Sequence, residues 1–141
     1  MKKTYKELQE VDIMVGQLYS DHPELKDSKF GYAYKRFADK NFYAQLKKLN
    51  QELLDARIDH ALEDPDTKAI LKDPTDARGF KYSKEGLKKI IQAEIKISDK
   101  WENKEIDIEP YICQDIPEQI SDELIGKLEG LLIASPKKKK V

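Results

Sequence analysis

Apolar positions recur at helical spacing along most of this chain. Leu8, Val11, Met14, Val15 and Leu18 follow one another at steps of three and four, the period that puts side chains on one face of a helix. Thr4 and Glu7 have capping-box spacing, in which each side chain accepts from a backbone N–H that the first turn leaves unpaired. A first helix is therefore predicted from about residue 5 to residue 19, with Ser20, Asp21, His22 and Pro23 ending it, because proline cannot continue the hydrogen-bond ladder. The stretch from 30 to 64 is apolar over a wider arc. Phe30, Ala33, Tyr34, Phe37 and Ala44 share one side, whereas Phe42, Leu46, Leu49, Leu53 and Ala56 share another, so the stripe jumps near Asp39, Lys40 and Asn41. Either the helix breaks there or one continuous helix, kinked at this point, hands its halves to different neighbours. Tyr43, Leu54, Ile58 and Ala61 add a further apolar side and leave Lys48, Glu52, Asp55 and Asp59 as a narrow solvent stripe. Such a helix needs two partners.

Beyond it, Ala69, Ile70 and Leu71 and then Phe80, Lys81 and Tyr82 read as short strands across a turn rich in Pro, Asp and Gly, that is, a small β-hairpin. Ser83 can cap a helix carrying Leu87, Ile90, Ile91, Ile97 and Trp101, the expected second partner of the central helix. Residues 105–109 alternate polar and apolar as an edge strand does, stopped by Pro110, and would extend the hairpin to three strands. Ser121 opens a last helix with Leu124, Ile125, Leu128, Leu131 and Leu132 on one side. The expected fold is mainly α (α+β), a helical bundle around a long central helix with a small two- or three-stranded antiparallel β element. It forms a single domain over 1–134, followed by a disordered basic tail, 135–141.

Composition narrows the function classes. The 26 basic and 27 acidic residues nearly cancel, so nucleic-acid binding would have to rest on a local patch. The single cysteine, Cys113, rules out an internal disulfide and points to a reducing, intracellular compartment. With only His22 and His60 beside it, a zinc site is not expected. The basic start is followed by polar residues rather than by an apolar signal core, and no uncharged run approaches the ~20 residues that span a bilayer. No membrane association, cofactor or metal is expected.

Half of the twelve aromatic residues lie between Phe30 and Tyr43, interleaved with Lys29, Lys35, Arg36 and Lys40. Exposed rings among cations can stack bases and meet phosphates. Helical spacing assigns Phe30, Tyr34 and Phe37 to the core, which leaves Tyr32 and Tyr43, with Lys35, Arg36 and Lys40, as the candidate binding surface. Glu52, Asp55, Asp59 and Glu63 read as a solvated face rather than a metal or acid–base cluster, because they lie opposite the leucines. Glu94 falls within the apolar stripe of its helix, near Trp101, where a carboxylate is costly unless a base meets it; Arg57 and Arg36 are the candidate partners. The pair Glu94 and Trp101 is the second candidate binding site. No Gly-rich phosphate loop or nucleophile elbow is present, so no catalytic residue is assigned and an enzyme is disfavoured.

Pro136, Lys137, Lys138, Lys139, Lys140 and Val141 resemble the monopartite nuclear-localisation signal of the polyomavirus large T antigen type, without its arginine and one basic residue shorter. In a eukaryotic host the resemblance implies nuclear import; otherwise the lysines make a weak polyanion-binding tail. The element order across the last two thirds of the chain, with Tyr82, Ser83, Lys84, Glu85 and Gly86 and then residues 104–110, resembles small uncharacterised proteins of phages and prophages. That resemblance implies a viral accessory or virion-assembly protein, located in the host cytoplasm or on the virion, and brings no catalytic residues with it. The expectation is a non-catalytic protein that binds another protein and forms a homo-oligomer. A nucleic-acid-binding accessory protein and a small-ligand-sequestering protein or enzyme built on a carboxylate are the alternatives.

Overall fold

A computed structural model describes residues 1–134; the basic tail with Lys137, Lys138, Lys139 and Lys140 lies outside them. The fold is mainly α with a two-stranded antiparallel sheet: β1 (Lys2–Thr4), α1 (Tyr5–Asp21), a 3-10 turn (Pro23–Asp27), α2 (Lys29–Ala38), a π-helical turn (Asp39–Tyr43), α3 (Ala44–His60), α4 (Lys84–Glu102), β2 (Glu105–Asp107) and α5 (Asp122–Leu128). The chain divides into two compact units, Met1–Gln45 with Asn103–Val141, and Leu46–Glu102.

In the first unit Thr4 and Glu7 form both halves of the capping box, and α1 buries Tyr5, Leu8, Val11, Val15 and Leu18. Ser28 accepts from the Gly31 N–H at 3.1 Å and starts α2, whose Phe30, Tyr34, Phe37 and Ala38 are buried. Gly31 has a local reason to be glycine, since a Cβ would collide with the backbone carbonyls of Leu25 and Lys26. The jump in the apolar stripe is the π turn. It inserts one residue into the helical repeat and so rotates every later side chain by ~100°. The helix continues through it, and buried Asn41 fastens it: its Nδ2 donates to the carbonyls of Phe37 (2.9 Å) and Glu109 (2.8 Å), and its Oδ1 accepts from the Glu109 N–H at 2.8 Å.

Two expectations are corrected here. β2 pairs with β1, Thr4 opposite Glu105 and Lys2 opposite Asp107, and does not extend a hairpin. The partner is a three-residue strand without an apolar signal, so alternation in 105–109 identified the strand and not its neighbour. The last helix stops at Leu128, because Gly130 takes a left-handed turn (φ +80°). Leu131 and Leu132 are still buried, with their carbonyls accepting from Tyr111 and Cys113.

In the second unit α3 and α4 run antiparallel, as Glu52 pairs with Lys100 and Arg57 with Glu94. The expected hairpin survives only as single bridges, Lys72 with Phe80 and Glu63 with Ile70, because Leu71 also bonds back to Leu62. Ser83 caps α4 through the Gly86 N–H at 2.9 Å. Ile90 and Trp101 are buried, whereas Leu87 and Ile91, predicted as part of the packing stripe, are exposed.

Candidate aromatic binding site

The first unit carries a cavity of about 340 Å³ lined by the rings of Tyr19, Tyr32, Tyr34 and Tyr43, by Gly31 and Ala38, and by Lys26, Asp27 and Lys35. It is assembled from three pieces of chain. α1 contributes Tyr19 from its last turn, the 3-10 turn contributes Lys26 and Asp27, and α2 with the π turn contributes the rest. The π turn matters directly, because it swings Tyr43 round to the side of Tyr34.

Behind the rings lies Asp12. Its Oδ1 accepts hydrogen bonds from the hydroxyls of Tyr34 (2.7 Å) and Tyr43 (2.9 Å), so one carboxylate on α1 fixes two walls contributed by later segments. Burial, and after it the charge of Asp12, pushes the Tyr19 phenol up to about 12. Burial likewise raises Tyr43 to about 12, followed by its bond to Asp12, and the same two causes in the same order raise Tyr34 further. The phenols are therefore neutral donors at any physiological pH. The hydroxyls of Tyr34 and Tyr43 are spent on Asp12, and what faces the cavity is mostly ring surface. Lys26 stands over the Tyr19 ring, its Nζ 6.0 Å from the centroid.

The structure brings together Tyr32, Lys35 and Tyr43 of the predicted surface. Tyr32 is 58% and Tyr43 40% exposed, as the helical spacing implied. Arg36 and Lys40 are exposed and do not line the cavity. The cations are largely matched by acids: Lys35 pairs with Asp39 at 2.9 Å, Lys40 with Glu109 at 3.7 Å and Lys29 with Asp115 at 3.3 Å. Sequence reasoning missed Tyr19, Lys26 and Asp12. One signal was available, since Asp12 follows Leu8 by four and Tyr5 by seven residues and so puts a carboxylate on the apolar side of α1.

The second predicted site has a structural explanation. Glu94 is held in the second unit by Arg57 (2.8 Å) and by a two-pronged contact from Arg78 (2.9 and 2.8 Å), while Arg36 takes no part in it. Burial pushes the Glu94 carboxyl up, but the hydrogen bonds from Arg78 and Arg57 outweigh it and hold the group below its ordinary value. Trp101 is 2% exposed and offers no surface to a ligand. Among the described residues no group of three or more His, Cys, Asp or Glu is placed to hold a metal ion, and no helix is long and apolar enough to cross a membrane. Family models, curated proteins and solved structures contain no match to this chain.

Proposed function

We propose that this is a non-catalytic binding protein, of the accessory or virion-assembly kind implied by the resemblance to phage proteins, which takes an anchor side chain of a protein partner into the tyrosine cavity. The observation that carries the reading is the pair of hydrogen bonds from Tyr34 and Tyr43 to Asp12, which spend the polar ends of these walls inside the protein and leave ring faces for the partner. Such rings supply large contact area at a low cost in side-chain entropy, which is why tyrosine is enriched where binding energy concentrates. The cavity volume is near the lower end of the ~300–1,000 Å³ range of ligand sites, which suits one or two side chains better than an extended cofactor. Lys26 at the rim favours an acidic neighbour of the anchor.

The alternative of a nucleic-acid surface is less well supported, because the cations it would use on phosphates already stand beside Asp39, Glu109 and Asp115. Panning a random-peptide display library on the protein tests the proposal. Selected peptides are expected to share an aromatic or long apolar anchor, and Tyr19→Ala or Tyr32→Ala is expected to weaken them by about 2 kcal/mol, roughly thirty-fold. Peptides that bind both variants as well as wild type would refute it. Binding of single-stranded oligonucleotides at low salt, with a steep salt dependence, would favour the alternative.

A further inference from the structure

The second unit exposes an apolar face that its own fold does not cover. Leu54 and Ile58 on α3 and Leu62 just past its end are 39%, 37% and 39% exposed, and Leu87, Ile91 and Ile95 on α4 are 38%, 41% and 56% exposed. Leu54 and Ile58 lie roughly 60–100° round α3 from Arg57, and Ile91 and Ile95 lie the same angle in the same sense round α4 from Glu94, at 100° per residue. Since Arg57 and Glu94 face one another across an antiparallel pair, that rotation brings both stripes to the same side.

We infer that this face is the interface with a second copy of the chain, which closes an antiparallel four-helix bundle about a two-fold axis parallel to α3 and α4. Two observations select this occupant. The four side chains placed on this side, Leu54, Ile58, Ile91 and Ile95, expose roughly 300 Å² of apolar surface, the lower end of the patch sizes that mark interaction sites. The flanking charges are also self-complementary. The outer flank of α3 carries exposed Asp55 and Asp59, with Lys48 toward its start, whereas the outer flank of α4 carries exposed Lys88 and Lys96, with Asp99 toward its end. A two-fold axis along the helices sets α3 of one copy over α4 of the other, so that Asp55 and Asp59 meet Lys96 and Lys88, and Lys48 meets Asp99. A two-fold axis across the helices would instead set Asp55 against Asp59 of the second copy.

Sedimentation of the full chain over micromolar to sub-millimolar concentrations tests the inference. The wild type is expected to show a monomer–dimer equilibrium, and Ile91→Glu, at a position already open to water, is expected to weaken it by about tenfold or more. The charge exchange tests the axis. Asp55→Lys with Asp59→Lys, and separately Lys88→Glu with Lys96→Glu, should each weaken self-association, and mixing the two double variants should restore it as a heterodimer. A wild type that stays monomeric, or an Ile91→Glu variant that dimerises as well as wild type, overturns the interface. Double variants that associate like wild type overturn the axis.

Discussion

Asp12 is the residue whose loss should reach furthest, and the cost can be worked from its two bonds. Asp12→Ala leaves the Tyr34 hydroxyl, on a residue only 5% exposed, without its charged acceptor, whereas Tyr43, 40% exposed, can turn its hydroxyl to water. A hydrogen bond to a charged group contributes ~1.5–3 kcal/mol, and a buried hydroxyl stripped of its partner costs ~1–3 kcal/mol. Counting the Tyr34 loss once and adding a few tenths for Tyr43, the expected destabilisation is about 2–3 kcal/mol. For a chain of this length that lowers the melting temperature by roughly 6–10 °C. Thermal melts followed by near-ultraviolet circular dichroism report on the tyrosine rings themselves. The double variant Asp12→Ala with Tyr34→Phe should be more stable than the sum of its parts by ~1–2 kcal/mol, because removing both partners leaves nothing unsatisfied. Additive single effects, or a loss below ~0.5 kcal/mol for Asp12→Ala, would refute the role given to this carboxylate.

Further expectations follow from the same geometry. Asn41→Leu keeps the branched shape but orphans the Glu109 N–H and the Phe37 and Glu109 carbonyls, for a loss of ~2–4 kcal/mol, and hydrogen exchange at the Glu109 amide should speed up accordingly. Glu94→Gln should cost about 1–3 kcal/mol by denaturant titration. Because the folded Glu94 carboxyl lies below its ordinary 4.5, wild type should lose that contribution as pH falls below 4.5 and the variant should not. Gly31→Ala must push apart the 3-10 turn and α2, costing ~1–3 kcal/mol in a chemical melt. Tyr19 and Tyr43, raised to about 12, should add stability that is complete below pH 10 and lost as pH rises through about 12, which tyrosinate absorbance can follow.

How far the sequence could be read depended on the range of the interactions involved. The capping box at Thr4 and Glu7, the Ser83 and Ser121 caps and the exposed rings Tyr32 and Tyr43 are local matters, settled within one helical turn, and all were legible. The jump near Asn41 was legible as a change of phase, while its cause lay 68 residues away in Glu109. The spacing of Asp12 from Tyr5 and Leu8 puts a carboxylate on the apolar side of α1 but does not name its partners, 22 and 31 residues distant, and Arg78, which reaches Glu94 from a loop, has no periodic signature of its own. The pairing of β1 with β2 was invisible for the same reason.

The apolar width of the central helix belongs to a third kind of signal. Periodicity shows that Leu54 and Ile58 want a neighbour, and the same is true of Leu87 and Ile91, yet periodicity cannot say whether that neighbour belongs to the same chain. The fold answers by leaving Leu54, Ile58, Ile91 and Ile95 at 37–56% exposure on one side of an antiparallel pair. Four such positions at regular spacing are not the scattered apolar residues that any surface carries. On the proposal of a second copy, such a helix pair, with an ordered apolar stripe on its outer side, would form half of a four-helix bundle, and the alternation of acid and base on its flanks would let that half recognise its own copy.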